Sequence, residues 1–287
     1  MDPTTIATEA GKLVLGKAAA SAGGKFIDKA WDNASKWLTD KFKGHSKEVK
    51  EKAKQNSESF LEQTGKQLQV IVQNSQNSPV TIQLIDDNFK NPDFSAVLQE
   101  ATIASARTDS EEKHILLARL IAERVTAKPE NMVSLVSSSA IEAIRKLSSK
   151  HLHTLGLAAL IYQIRPVGFP TNLPPEIVEQ HAQNWWNSQL SAMLAQAEEL
   201  NHIDMRHLVS LSCIDHDTIF SRDLNAILKS GFGEWNVQKY LEESEQGKKL
   251  QPLYKSTIEH LTLTSTGMLI GVLVHDQVVG HTTVIDW

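Results

Sequence analysis

The stretch LHTLGLAALIYQI, residues 152–164, contains no Asp, Glu, Lys or Arg. A helix formed here has no solvent face, so it belongs at the centre of a helical bundle. Ser148 or Ser149 stands just before it as an N-cap. Working upstream, Val133, Val136, Ala140, Ala143 and Leu147 recur at helical spacing with Ile144 beside them. Pro129 sits near the start of that helix, where its fixed φ is tolerated. Earlier still, Asp109 or Ser110 caps a helix with Glu111 and Glu112 in its first turn, where the helix dipole favours carboxylates. That helix buries Ile115, Leu116, Leu120, Ile121 and Val125, and Ser95 to Ala106 forms one more. Residues 92–165 therefore read as a helical bundle, and the fold class as mainly α.

Working downstream, RPVGFPTNLPPE carries prolines at 166, 170, 174 and 175. No helix survives that density, so 166–175 is a stiff crossing and the natural internal boundary. Beyond it, 176–287 forms a second helical part. One long helix runs from Glu176 to Leu200, and shorter ones span about 204–213, 221–230 and 235–245. HLTLTSTGMLIGVL (260–273) predicts a strand, a Thr/Ser-capped turn and a helix, a winged-helix-like end. VVGHTTVI then reads as a further strand. The helix at 235–245 carries Glu242, Glu243 and Glu245, which nucleic-acid phosphates would repel. A winged end of this kind suits protein contacts.

The N-terminal side divides into an amphipathic arm and connector (1–62) and a small hairpin or linker (63–91). The hairpin reading pairs LQVIV (68–72) with VTIQL (80–84) across QNSQNSP, LQVIV reads equally as the end of a helix, and HSKEVKEKAKQNSESF (45–60) as a solvated helix or connector. The arm contains GKFIDKAWDNASKWLTDKFKG, residues 24–44. On a wheel advancing about 100° per residue, Phe26, Ile27, Ala30, Trp31, Ala34, Trp37, Leu38 and Phe42 fall on one side, with Lys41 alone among them. Glycines at 23, 24 and 44 bracket the helix and let it pivot. Phe26, Ile27, Trp31, Trp37, Leu38 and Phe42, together with Trp185 and Trp186, are the candidate interaction surface. Five lysines against three aspartates on this helix leave little for an anionic leaflet, at about 1 kcal/mol per basic residue. Burying one large apolar side chain against protein contributes roughly 1.5–3 kcal/mol. Packing onto the chain's own body, a second copy or a protein partner is therefore favoured. Peripheral contact with the inner membrane is the alternative.

The 41% hydrophobic and 22% charged composition is that of a soluble globular protein. Net charge is −5, yet residues 1–54 hold eleven Lys against seven Asp and Glu, leaving about −9 on the remainder. A basic arm on an acidic body points to an anionic partner for the arm, while the net charge argues against a nucleic-acid binder. The single cysteine, Cys213, excludes an internal disulfide, and with no secretory signal a cytoplasmic protein is expected. Lysines 12, 17 and 25 interrupt the N-terminal apolar stretch, so it makes no membrane span.

Chemical signatures are scarce. His151 and His153 begin a helix two residues apart, face different ways and read as a solvated or capping pair. Asp215, His216 and Asp217 suit a metal-dependent hydrolase, but further ligands at regular spacing are missing. There is no G-x-S-x-G elbow, and GKKLQP (247–252) lacks the features of a phosphate loop. Cys213, within LVSLSC, reads as a buried, inert thiol. No catalytic, metal or cofactor-binding residue is assigned.

Three stretches carry a family likeness: VLQEATIASARTDSEEKHILLARLIAERV (97–125), SSSAIEAIRKLSSKHLHTLGLAALI (137–161) and LTLTSTGMLIGVL (261–273). Together they resemble the abortive-infection alpha (Abi-alpha) proteins of bacteria and their relatives, over about a third of the chain. The shared features are Asp109 to Glu111, Lys146-Leu147-Ser148, and Leu263-Thr264 with Gly267. The resemblance implies a mostly helical fold and a role in bacterial defence against phage, and it brings no catalytic residues. The function expected is a non-enzymatic interaction protein acting through a homo-oligomer or a protein partner.

Overall fold

The computed structural model describes residues 23–74, 79–167, 169, 173–216, 221–280 and 283. The protein is mainly helical, and the chain divides into two compact units, Met1–Lys146 and Leu147–Asp286.

The first unit contains α1 (Gly23–Lys41), α2 (Lys47–Asn74), α3 (Pro79–Phe89), α4 (Pro92–Ala106), α5 (Glu111–Thr126) and α6 (Met132–Lys146). Its centre is α2, which packs against α1, α4 and α5. The sequence casts residues 45–60 as a solvated helix or connector and leaves LQVIV between a hairpin strand and a helix end. The structure joins both in one helix with a buried face, which overturns the solvated and the hairpin readings. Ala53, Asn56, Ser57, Phe60, Leu61, Thr64, Gly65, Leu68 and Val72 form one buried stripe. LQVIV is the last stretch of that stripe: its local alternation of apolar and polar residues coincides with the i, i+4 pair Leu68 and Val72. VTIQL lies inside α3. The small hydroxyls on the stripe cost nothing in unmet hydrogen bonds. Ser57 donates to Ala53 O and Thr64 to Phe60 O, each at 2.9 Å.

Caps set the other starts. Asn91 accepts from Asp93 N with Pro92 in the first turn, and Ser110 accepts from Lys113 N. Pro129 precedes α6 rather than entering it, and Asn131 Oδ1 accepts from Val133 N at 2.9 Å instead. Arg124 of α5 is buried to 1% exposure. Its Nη2 reaches Asp93 Oδ2 at 2.6 Å and its Nη1 reaches Asn88 Oδ1 at 3.4 Å, linking α5 to α4 and α3.

The second unit contains α7 (Ser149–Tyr162), α8 (Pro175–Leu194), α9 (His202–Ser210), β1 (Ile214–His216), α10 (Leu224–Lys229), α11 (Val237–Glu243), α12 (Glu245–Leu253), β2 (Leu261–Leu263) and α13 (Ser265–Val279). The apolar segment at 152–164 is α7, and its main partner is α13, which is also buried over nearly its whole length. The boundary therefore falls before α7, at residues 146 and 147, and not at the prolines. Two helices without a solvent face must hide against each other, and that need outranks the local stiffness of the proline segment. The close approach is made by glycine. A Cβ at Gly271 would stand 2.4 Å from Leu155 O, and one at Gly156 would meet Val274 and Met193.

β1 and β2 pair antiparallel, with Ile214 opposite Leu263 and His216 opposite Leu261. Thr264 caps α13 by accepting from Gly267 N at 3.1 Å. Gly267 is glycine because its α-carbon lies against Cys213, whose carbonyl oxygen a Cβ would approach to 1.8 Å. Val278 and Val279 end α13 rather than starting a strand, the rest of that strand reading at 281, 282, 284 and 285 lies outside the described residues, and α8 stops at Leu194, short of Leu200. Past the left-handed Gly280, the buried Asp276 accepts from Thr283 N at 2.7 Å.

Candidate interaction surface

The helix periodicity of residues 26–42 is realised in α1, which lies on α2 and α4. Ala30 and Ala34 are fully buried and Leu38 nearly so, while Asp32, Asn33, Ser35, Lys36, Thr39, Asp40, Lys41 and Lys43 are exposed. Trp31 and Trp37 flank the buried strip and are only partly covered. Small residues occupy the centre because alanine lets two helix backbones approach, and the large rings are pushed to the edges of the contact. Leu38 clusters with Ala53 and Ala106, and Phe42 packs against that group. Gly44, at φ +88°, turns the chain into α2. The side chains of Phe26 and Ile27 lie outside the described residues.

Trp185 and Trp186 separate. Trp186 is fully buried and donates from Nε1 to Leu228 O at 3.1 Å, so it is a core residue with no surface to offer. Trp185 is partly exposed and lies edge-on to Phe232, which in turn meets Phe169 from the proline segment. Its neighbours are thus supplied by its own chain.

The histidine pair is not solvated, and the capping reading holds for His151. Both His151 and His153 are buried. His151 completes a capping box at the start of α7: Ser148 N donates to its Nδ1 at 3.2 Å, and Ser148 Oγ lies 2.9 Å from the same nitrogen. Its Nε2 then faces Asp204 Oδ1 at 3.1 Å. Nδ1 is an acceptor in this arrangement, so Nε2 carries the proton and donates to the carboxylate. Asp204 also takes Lys150 Nζ at 2.6 Å and the backbone N–H of Asn201, closing a second capping box on α9. Burial holds the His151 pKa below its usual value, with Asp204 opposing. The hydrogen bond from Lys150 is the chief cause of the lowered Asp204 pKa. The cluster is a clamp between two helix starts. The sequence does not reveal it, since its members are 53 residues apart and no periodicity links them.

Asp215 and His216 are exposed on β1, and Asp217 lies outside the described residues. Among the described residues no group of three His, Cys, Asp or Glu is placed to hold a metal ion. Cys213 is buried, and desolvation pushes its pKa up to about 12, which keeps the thiol protonated. No described helix is long and apolar enough to cross a membrane.

A protein-family model with the description ":-like" matches residues 24–254. The chain belongs to that family. The match begins inside α1 and runs through the proline crossing to the end of α12, so the arm and the crossing are both part of the family's pattern. The family description names no activity. No curated protein matches the chain, and no solved structure does.

Proposed function

We propose that this protein is a non-enzymatic helical interaction protein of bacterial antiphage defence, acting through self-association. The single observation that carries the interaction reading is the edge of α1, where Trp31 and Trp37 border the buried Ala30–Ala34–Leu38 strip and are only partly covered. Large, partly exposed rings on a helix already anchored to its own unit are the usual anchors of a protein interface. The defence assignment rests on the motif resemblance. In the fold, Ser110 within Asp109–Glu111 caps α5, Ser148 caps α7, and Thr264 with Gly267 opens α13. The β2, Thr264 and α13 arrangement supports a winged-helix-like end used for protein contacts.

The test is sedimentation of the full chain over a dilution series, with Trp31→Ser/Trp37→Ser alongside. Wild type is expected to gain mass with concentration and the variant to lose that gain while keeping its helical circular dichroism. A wild type that stays monomeric throughout overturns self-association. A lipid-engaging α1 is the second reading, favoured by the same rings lying among exposed lysines. Flotation on anionic phospholipid vesicles checks it, and absence of flotation removes it.

A further inference from the structure

Two charged surfaces remain without a role. The first is the corner where α1 turns into α2. Lys36, Lys41, Lys43, Lys47 and Lys50 are all exposed there, against the carboxylates of Asp40 and Glu48. None of these five ammonium groups has a carboxylate within ion-pair distance among the described residues. The next lysines along α2 differ: Lys52 pairs with Asp109 and Lys54 with Glu58. Lys36 and Lys41 also flank Trp37, so the corner is continuous with the aromatic edge of α1.

The second surface is a groove of about 550 Å³ in the other unit, between the first half of α8 and the α11–α12 junction. Glu176, Glu179 and Glu243 line it, with Lys239 as its one lining cation and Tyr240 against its floor. Glu242 stands exposed beside it. These carboxylates are not gathered closely enough to chelate, since no such group among the described residues is placed to hold a metal ion. Carboxylates spread along an open groove suit an extended surface bearing several ammonium groups. The chain itself carries that surface in its lysine corner.

We propose that the lysine corner of one copy docks into the α8/α11–α12 acidic groove of a second copy, head to tail. This rests on the self-association reading above and names its geometry. A lipid leaflet suits the corner less well, because the central apolar strip of α1 is turned inward onto α2 and α4 and is not available to enter a bilayer. A head-to-tail contact uses different patches on the two copies, so it extends into a chain or closes into a ring. Its charged groups stay partly solvated, so the contact weakens as salt screens it.

The experiment uses the full chain and two double reversals, Lys43→Glu/Lys47→Glu in the corner and Glu179→Lys/Glu243→Lys in the groove. Circular dichroism and thermal melts confirm that each remains folded. In sedimentation at low salt, wild type assembles, and each variant alone associates roughly tenfold or more weakly. An equimolar mixture of the two variants regains assembly, because the acidic corner of one now fits the basic groove of the other. High salt dissolves both the wild-type and the mixed assemblies. The proposal is overturned if either variant assembles like wild type, or if the mixture stays monomeric. Vesicle binding that is lost with the corner lysines and not restored by mixing assigns the corner to lipid instead. A monomeric wild type overturns self-association as a whole, whereas assembly indifferent to these reversals overturns only the corner-to-groove contact.

Discussion

Replacing Gly271 with alanine tests the α7–α13 contact on which the second unit is built. The added methyl would stand 2.4 Å from Leu155 O and 2.8 Å from Ala159 Cβ. Non-bonded contacts settle near 3.5 Å, so the helices must part by about 1 Å at this point. The obstacle is a backbone carbonyl within α7, which cannot rotate away as a side-chain tip does. Overpacking of this kind costs about 1–3 kcal/mol, and the upper half applies when backbone must move. Alanine recovers about 1 kcal/mol through its better helix propensity. The expected net loss is about 1–2 kcal/mol, or roughly 3–8 °C in melting temperature for a unit of this size.

Gly156→Ala is the matched control. Its methyl would meet Met193 Cε at 2.7 Å and Val274 Cγ1 at 2.9 Å, both side-chain ends, and the methionine is readily displaced. It should therefore cost less than Gly271→Ala. Thermal and urea melts followed by circular dichroism decide the order. If Gly271→Ala raises the melting temperature as helix propensity alone would have it, or if the two variants cost the same, the close backbone approach is wrong.

Two further outcomes follow from buried charge. Asp93→Ala should destabilise the first unit by about 1.5–3 kcal/mol, because the buried guanidinium of Arg124 loses its charged acceptor and keeps only Asn88. Arg124→Met should cost less, since it removes the buried charge and leaves Asp93, whose side chain is 65% exposed, in water; urea melts showing the reverse order would refute this. The lowered pKa of His151 gives stability a pH slope. As pH falls below about 6.5, the unfolded chain takes up the proton first. The contribution is thus present above that pH and is lost as pH falls through the folded pKa. His151→Gln keeps the capping box without the titration, so its stability should change less between about pH 7.5 and 5.5. An unchanged slope would show that His151 is not its source.

The helices on either side of α7 were legible because their caps and apolar spacing are local. Ser110 and Thr264 act on backbone groups three residues away, and side-chain type alone announces them. The burial of α2 was not legible, for the opposite reason. Asn56, Ser57, Thr64 and Gly65 look like surface residues, yet they are buried because α1, α4 and α5 close over them. Their small size permits that closure, and nothing in the linear pattern separates small and polar from small and covered. The candidate surface was legible in part. The arm's two-sidedness is periodic and visible, while the burial of Trp186 depends on Leu228, 42 residues away.

The sequence by itself determined that the chain is mainly helical, where α5, α7 and α13 begin, and that α1 has an apolar side in need of cover. Those properties follow from repeats of three and four residues and from single capping side chains. Only the tertiary structure decided that α2 is a core helix, that the units divide before α7, that His151 and Asp204 clamp two helix starts, and how far Trp31 and Trp37 are covered. Each of these depends on which surfaces meet across distant parts of the chain, and burial and pairing are set by that meeting.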